Sequence, residues 1–326
     1  MSKCDISIKT NRTNYKLGDI VKGQVTVEVN KECKCDGLVL KKYWKTHGKG
    51  NRSSGGVQTL NLFQGVWQPG LYTYSFSFEL NDGPFSYHGH YINVDWYLNA
   101  RADIPWALDP ADEIEFILEK GTEELPGNLS GYEVHDTEDK VSGLQDYGLF
   151  KYFPLLFVIV GVAIMYYDQS YFFGGIFSVV GAVIFYKLIQ SSIAEKKLGN
   201  VECVIDENNL RPGDNFSFTI AFNPKSDITI NSASVKLVGK EIAMSGSGTK
   251  KTTHMHTLYS NETPLLNQGK FTRGIPVRDK RRLDIPLDAA PSFRTSDNRI
   301  SWALSIEIDI PQWPDWEHSL PINVRP

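Results

Sequence analysis

Hydrophobic and polar residues alternate along two long stretches of this chain, and between them lies a stretch with no polar positions to alternate with. The alternation predicts short strands at 5–9, 21–29, 38–45, 72–80, 91–102 and 113–118. It does so again at 200–205, 215–222, 232–238, 283–287, 299–308 and 321–324. A period of two buries one face of a strand and leaves the other in water. Gly, Pro, Asn and Asp separate the runs, as in an antiparallel, turn-rich fold. In the middle, 152–167 and 171–186 carry no charge on any face, and only Asp168-Gln169-Ser170 interrupts them. Apolar residues all round predict two helices without a water-facing side, joined as a hairpin.

The two alternating stretches share their punctuation. Trp96-Tyr-Leu-Asn-Ala-Arg-Ala-Asp103-Ile104-Pro105 matches Trp302-Ala-Leu-Ser-Ile-Glu-Ile-Asp309-Ile310-Pro311 in its Trp-to-Asp spacing and its Asp-Ile-Pro ending. A Gly-Asp turn opens each copy, at Gly18-Asp19 and Gly213-Asp214. Pro84-Phe85-Ser86 precedes the first tryptophan, and Pro291-Ser292-Phe293 the second. The Pro-to-Trp spacing differs by one residue, which predicts a bulge or a changed hairpin loop. Order and spacing together indicate a duplicated domain. The fold class expected is mainly β: two immunoglobulin-like antiparallel β-sandwiches plus a two-helix transmembrane hairpin. The expected boundaries are a first sandwich at 1–118, an acidic flexible linker at 119–147, the hairpin at 148–190 and a second sandwich at 198–326.

Each apolar run falls slightly short of the ~20 residues that cross a typical hydrocarbon core. Tyr152, Tyr166, Tyr167, Tyr171 and Tyr186 at the ends fit an interfacial belt. Gly174, Ser178 and Ala182 recur every four residues and form a small-residue stripe, with Gly161 offered by the first run. The stripe suits closure of the hairpin and equally suits a homo-oligomer through it. Lys151, Lys187, Lys196 and Lys197 flank the runs, whereas the connection carries Asp168. The positive-inside bias predicts a two-pass integral membrane protein with both β-domains cytosolic. The start of the chain has no apolar run of the signal-peptide kind, which agrees with that orientation. Sequons at Asn11, Asn51, Asn128, Asn215 and Asn261 would argue the other way if used.

Tyr15-x-Leu17-Gly18-Asp19-x-Val21-x-Gly23-x-Val25-x-Val27, then Tyr74-x-Phe76-x-Phe78-x-Leu80, Pro84-x-Ser86 and Ile92-x-x-x-Trp96 resemble the amino-terminal domain of arrestin-fold proteins. The second copy, from Pro212-Gly213-Asp214 to Trp302, is similar to the arrestin carboxy-terminal domain. The resemblance covers both β-domains and not the hairpin, which soluble arrestins lack. Paired lysines of the kind that sense receptor phosphates have no counterpart, because Lys3 and Lys9 are split. The resemblance implies a non-catalytic adaptor or scaffold.

Composition narrows this further. At 326 residues, 41% apolar and a net charge of −4, the chain is long enough for two cores and offers no bulk charge for nucleic acid. Four cysteines, Cys4, Cys33, Cys35 and Cys203, read as reduced structural thiols. His88-x-His90 and His254-x-His256 could each share a strand face and chelate a metal, given a third ligand such as Asp95 or a cysteine; surface or loop histidine is the plainer reading. Arg278, Lys280, Arg281 and Arg282, with Arg273 nearby, form the densest basic cluster, suited to anionic headgroups or to solvent. Lys41, Lys42, Lys45, Lys49 and Arg52 form a second basic stretch around a glycine-rich loop. Trp313 and Trp316 are candidate partner anchors. G-x-S-x-G, H-E-x-x-H and C-x-x-C are absent, so no enzyme and no cofactor are expected. The reading is a membrane-anchored arrestin-like adaptor whose partners are membrane lipid and a protein that the sequence does not name. The alternative is an extracytoplasmic ligand- or glycan-binding module on the same anchor.

Overall fold

The structure, a computed structural model, describes residues 3–121, 152–167, 170–207 and 209–326. The acidic linker expected over 119–147 lies outside the described residues from 122 on, and so does Asp168.

The first half forms β1 (Cys4–Thr10), β2 (Asn14–Lys16), β3 (Ile20–Val29), β4 (Cys33–Gly48), β5 (Ser54–Trp67), β6 (Gly70–Glu79), β7 (Tyr87–His88), β8 (Ile92–Asp103) and β9 (Ala111–Glu119). A three-stranded sheet ordered β1-β3-β6 faces a larger one ordered β2-β9-β8-β4-β5, with β7 added beside β8. The core lies between them. Val21, Val25, Val27, Phe76 and Phe78 from the small sheet meet Leu38, Leu40, Trp96 and Leu98 from the large one. In β8 the even positions from Ile92 to Ala102 point inward and the odd ones outward, as the period of two requires.

Two helices follow, α1 (Pro154–Tyr167) and α2 (Tyr171–Leu198). The second half then forms β10 (Val201–Ile205), β11 (Asn209–Leu210), β12 (Asn215–Phe222), β13 (Ile228–Ile230), β14 (Ser232–Ser245), β15 (Thr252–Leu266), β16 (Gly269–Phe271), β17 (Val277–Asp284), β18 (Phe293–Arg294), β19 (Asn298–Asp309) and β20 (Trp316–Val324). Its sheets are ordered β10-β12-β17 and β11-β20-β19-β14-β15, with β18 beside β19 and a separate β13-β16 pair. Apart from that pair, the order repeats the first half strand for strand.

The duplication extends to single hydrogen bonds. Trp96 Nε1 donates to the Pro84 carbonyl at 2.7 Å, and Trp302 Nε1 donates to the Ala290 carbonyl at 2.8 Å, each twelve residues upstream. The Ser86 hydroxyl accepts from Leu118 N at 3.0 Å, and the Ser292 hydroxyl from Val324 N at 3.0 Å. Pro84 therefore corresponds to Ala290, not to Pro291, and the one-residue bulge expected before the second tryptophan is absent. The opening turns also match. Gly18 and Gly213 sit at φ 87° and 88°, where a side chain is strained. The following aspartates each accept from the backbone N–H three residues back, Lys16 and Arg211, at 2.7 Å.

Between the sandwiches the two helices pack as a hairpin, as the all-round apolar pattern predicts. Among the described residues no helix is long and apolar enough to cross a membrane. The 14 residues of α1 rise about 21 Å against a hydrocarbon core of about 30 Å, so the first of the two full crossings expected from the sequence lacks its length. The α2 helix also runs past the expected end of the hairpin, because its last turn belongs to the second sandwich. Ala194 and Leu198 are buried in that core.

Candidate functional site

The hairpin closes through its small residues. Gly161 is buried, and a side chain there would begin 2.4 Å from Ser178 Oγ and 2.6 Å from the Gly174 carbonyl. The helices can approach this closely only because neither backbone carries bulk at the crossing. Of the expected stripe, Gly174 and Ser178 lie in the contact. Ala182 lies on the exposed side, and Gly181 meets the Pro154 carbonyl and Phe157 instead. The outward faces are apolar all round: Ile159, Val160, Val162, Phe172, Phe173, Val179 and Val183 are all exposed.

The base of the hairpin is set in the second sandwich. Lys225 N donates to the Lys197 carbonyl at 2.9 Å, and Gly199 N caps the helix on the Glu195 carbonyl. Lys197 places its ammonium 4.7 Å from the Trp313 ring centroid, a cation–π contact. Trp313 thus braces the end of the helix, whereas Trp316 is a core residue at 2% exposure and cannot anchor a partner. Trp106, at the equivalent turn of the first copy, is fully exposed and sits at φ 61°, matching φ 63° at Gln312.

Beside this base the basic cluster divides by the period of two. Along β17, Arg278, Lys280 and Arg282 are exposed, opposite Ala221, Thr219 and Ser217 of β12. They form a row on the outer face of the small sheet. Arg281 points the other way. Its guanidinium donates to the Pro264 and Leu265 carbonyls of β15 at 3.0 and 2.7 Å and pairs with Asp279 at 3.0 Å. It ties the two sheets together and is not available as a surface charge. At the hairpin end of the row, Lys225, Arg273 and Arg278 line a groove of 730 Å³ with Glu202, Asn223 and Pro276. Among the described residues Arg278 and Arg282 form no ion pair. Asp206, near Lys280, has its carboxyl held below the ordinary value, chiefly by the Ser217 N–H at 2.6 Å.

The two sandwiches meet at a polar joint. Glu241 of β14 is fully buried. Its Oε2 accepts from the N–H groups of His90 and Tyr91 at 2.9 and 3.1 Å, and its Oε1 from Ile92 at 3.3 Å. Burial, with the nearby Glu241 carboxylate, pushes the Tyr87 phenol well above its ordinary value. Asn298 is buried as well and donates to Thr46 Oγ1 and the Asn51 carbonyl. Asn51 in turn donates to Asp297, which Lys251 pairs at 2.7 Å.

The two histidine pairs differ: His254 and His256 share a face of β15 and both pack against Tyr91, whereas His88 and His90 part. His90 leaves the strand and stacks on His256 across the joint, ring centroids 4.1 Å apart. His88 instead meets Asp95, with Nε2 2.7 Å from Oδ1, and His47 reaches the other oxygen of that carboxylate at 2.7 Å. The sequence offers Asp95 only as an example of a third ligand for either histidine pair, and it gives no sign of His47 or Glu115, which pairing of β8 with β4 and β9 brings alongside.

Lys42 departs from its expected place. It belongs to the basic stretch around the glycine-rich loop, yet it is 1% exposed and donates to the Glu79 carbonyl at 2.8 Å. None of the four cysteines forms a disulfide. Cys4, Cys33 and Cys35 are buried, and Cys4 meets Cys33. Burial pushes Cys4 and Cys203 up to about 12 and Cys35 up to about 11. Such thiols carry little thiolate at neutral pH and react slowly.

No protein-family model matches the chain, and no curated protein matches it.

Proposed function

We propose that this chain is a membrane-anchored adaptor of arrestin-like plan. The hairpin seats in the bilayer, both sandwiches lie on the cytosolic face, and the sandwiches recruit partner proteins without catalysis. The observation that carries this reading is the hairpin itself: two packed helices whose outward sides have no polar face. In water that surface would exceed the apolar patch a monomer ordinarily exposes. Because α1 is short, the hairpin enters from one side and turns back at limited depth. Both sandwiches then leave by the same face. Lys151, Lys187, Lys196 and Lys197 favour the cytosolic one. The row of Arg278, Lys280 and Arg282 lies beside the hairpin base. There each cation contributes about 1 kcal/mol of attraction to anionic headgroups.

Partner binding fits the edges of the large sheets. Among the described residues β5 and β15 each pair with one neighbour, leaving long outer edges at Ser54–Trp67 and Thr252–Leu266. An extended segment of a partner can add to such an edge.

Fractionation of cells expressing the full chain tests the anchor. The wild type is expected in the membrane pellet after an alkaline wash, and Val160→Lys with Val179→Lys is expected to release it. A full chain that stays in solution without detergent overturns the reading. Single cysteines at Ser53 and Ser247 test the side. Labelling by an impermeant reagent only after permeabilisation supports the cytosolic face, and labelling in intact cells puts the external ligand-binding alternative first.

A further inference from the structure

We infer that His88, Asp95 and Glu115 form a binding site for a divalent transition metal, with His47 and Tyr97 holding two of the ligands from behind. One ligand atom from each of the three residues lies within 4.8 Å of the others. They come from three neighbouring strands, β7, β8 and β9, and share the outer face of the large sheet in the first sandwich. One imidazole nitrogen and two carboxylate oxygens make an N/O set that suits zinc or manganese. Three protein ligands leave a position open for water or for a group from a partner.

The supporting contacts have the form that metal sites use. Asp95 is fully buried, and its second oxygen is engaged by His47 Nε2 at 2.7 Å, which fixes the carboxylate plane. The Tyr97 hydroxyl donates to Glu115 Oε2 at 3.0 Å and leaves the other oxygen of Glu115 to a ligand. The neighbouring ammonium, Lys45, is committed to Glu113 at 2.6 Å and to the Tyr97 ring at 3.7 Å. Among the described residues, no Lys or Arg pairs with Asp95 or Glu115. Two carboxylates at one spot without a Lys or Arg counter-charge favour a cation. His88 Nε2 and Asp95 Oδ1 are 2.7 Å apart. Around zinc, ligand atoms at about 2.0–2.1 Å stand about 3.3 Å apart, so loading requires His88 to move outward by a few tenths of an ångström. Its side chain is 55% exposed, and β7 is two residues long, so the movement meets little resistance.

The duplication supplies an internal control on a purely structural role. The same strand pairings place Ile242, Arg294, Ser301 and Pro321 in the second sandwich where the first has His47, His88, Asp95 and Glu115. The scaffold therefore builds these strands without any of the four groups. A buried carboxylate that the fold does not require, between two imidazoles and next to a second carboxylate, is the mark of a site.

Zinc titration of the purified full-length protein, read by calorimetry and by metal analysis after desalting, tests the inference. One zinc per chain is expected. His88→Gln and Glu115→Gln, both at exposed positions, should weaken binding about 100-fold or more. His47→Gln should weaken it about 10- to 100-fold, as supporting residues do. His256→Gln, at the other histidine pair, should leave it unchanged. Circular dichroism of each variant confirms that the sheets are intact. X-ray absorption of the loaded protein should show an all-N/O shell with a single imidazole. Absence of zinc uptake by the wild type overturns the site, and so does equal affinity in the wild type, His88→Gln and Glu115→Gln.

Discussion

Lys42 shows how a single side chain sets a pH dependence. Its stem packs in the first core, its ammonium lies 5.4 Å from the Trp96 ring centroid, and the Glu79 carbonyl accepts a hydrogen bond from it. Burial pulls its pKa down from 10.5 to about 8, against the opposing fields of Asp82 and Glu79. The unfolded chain therefore holds this proton more tightly than the folded one. Below pH 8 the fold carries the full cost of a buried charge, about 3 kcal/mol by the size of the shift. That cost is relieved as pH rises from 8 to 10.5. Lys42→Met, which keeps the stem, should raise stability at pH 7 by about 1–2 kcal/mol, after allowance of about 1 kcal/mol for the lost hydrogen bond. The gain should disappear by pH 10.5. Urea unfolding of both proteins at the two pH values measures it, and an equal difference at both would refute the assignment. This residue was not legible in the sequence, where Lys42 is one of five cations in a basic stretch. Only the pairing of Lys42 with Leu98 in β8 places it over Trp96.

At the scale of elements, legibility followed periodicity. The central strands β3, β8, β12 and β19 were plain because each buries one full face, so apolar residues recur at every second position. The edge strands β5 and β15 were missed because they carry no buried row: β5 buries Trp67 and β15 buries Leu265. An edge strand half in solvent has little reason to alternate. The H-x-H reading held for His254 and His256 inside β15 and failed for His88 and His90, for a related reason. The rule that residues two apart share a face holds only inside a strand, and β7 ends at His88. The small-residue stripe of the hairpin was legible in Gly161, Gly174 and Ser178, while the choice between Ala182 and Gly181 needed the crossing geometry. That geometry gives a sharp expectation. Gly161→Val should force the helices apart at a cost of about 1–3 kcal/mol. Gly175→Val, where a side chain meets open space, should not. Spin labels on Val160→Cys and Val179→Cys should report a longer distance in the first variant alone. Equal distances in both would place the closure elsewhere.

For the whole molecule, the decisive feature is how two copies of one sandwich became one body. An insert between two domains can hold them apart, yet the sandwiches share a joint centred on Glu241, a glutamate that stands where the first copy has Thr46. Nothing in the sequence distinguishes Glu241 from a surface acid, since its partners, three successive backbone N–H groups and the Tyr87 hydroxyl, lie about 150 residues away. A buried carboxylate is tolerated when such donors satisfy it, and removing an acceptor strands them. Glu241→Gln keeps the size but turns an amide NH2 toward N–H groups that need acceptors. It should cost about 2–4 kcal/mol, comparable to other losses of a charged, buried acceptor. The loss should appear locally. Amide hydrogen exchange at His90, Tyr91 and Ile92 should accelerate, while that of the inner strands β3 and β12 should hold. Glu262→Gln, at an exposed position of β15, should change neither. If protection at 90–92 survives in Glu241→Gln, the joint is held by Asn298 and Asn51 instead, and the carboxylate is a passenger. If protection is lost and the melting profile divides into two transitions, the two sandwiches fold as separate units that Glu241 couples. Partner binding at the β5 or β15 edge could then be transmitted across the joint.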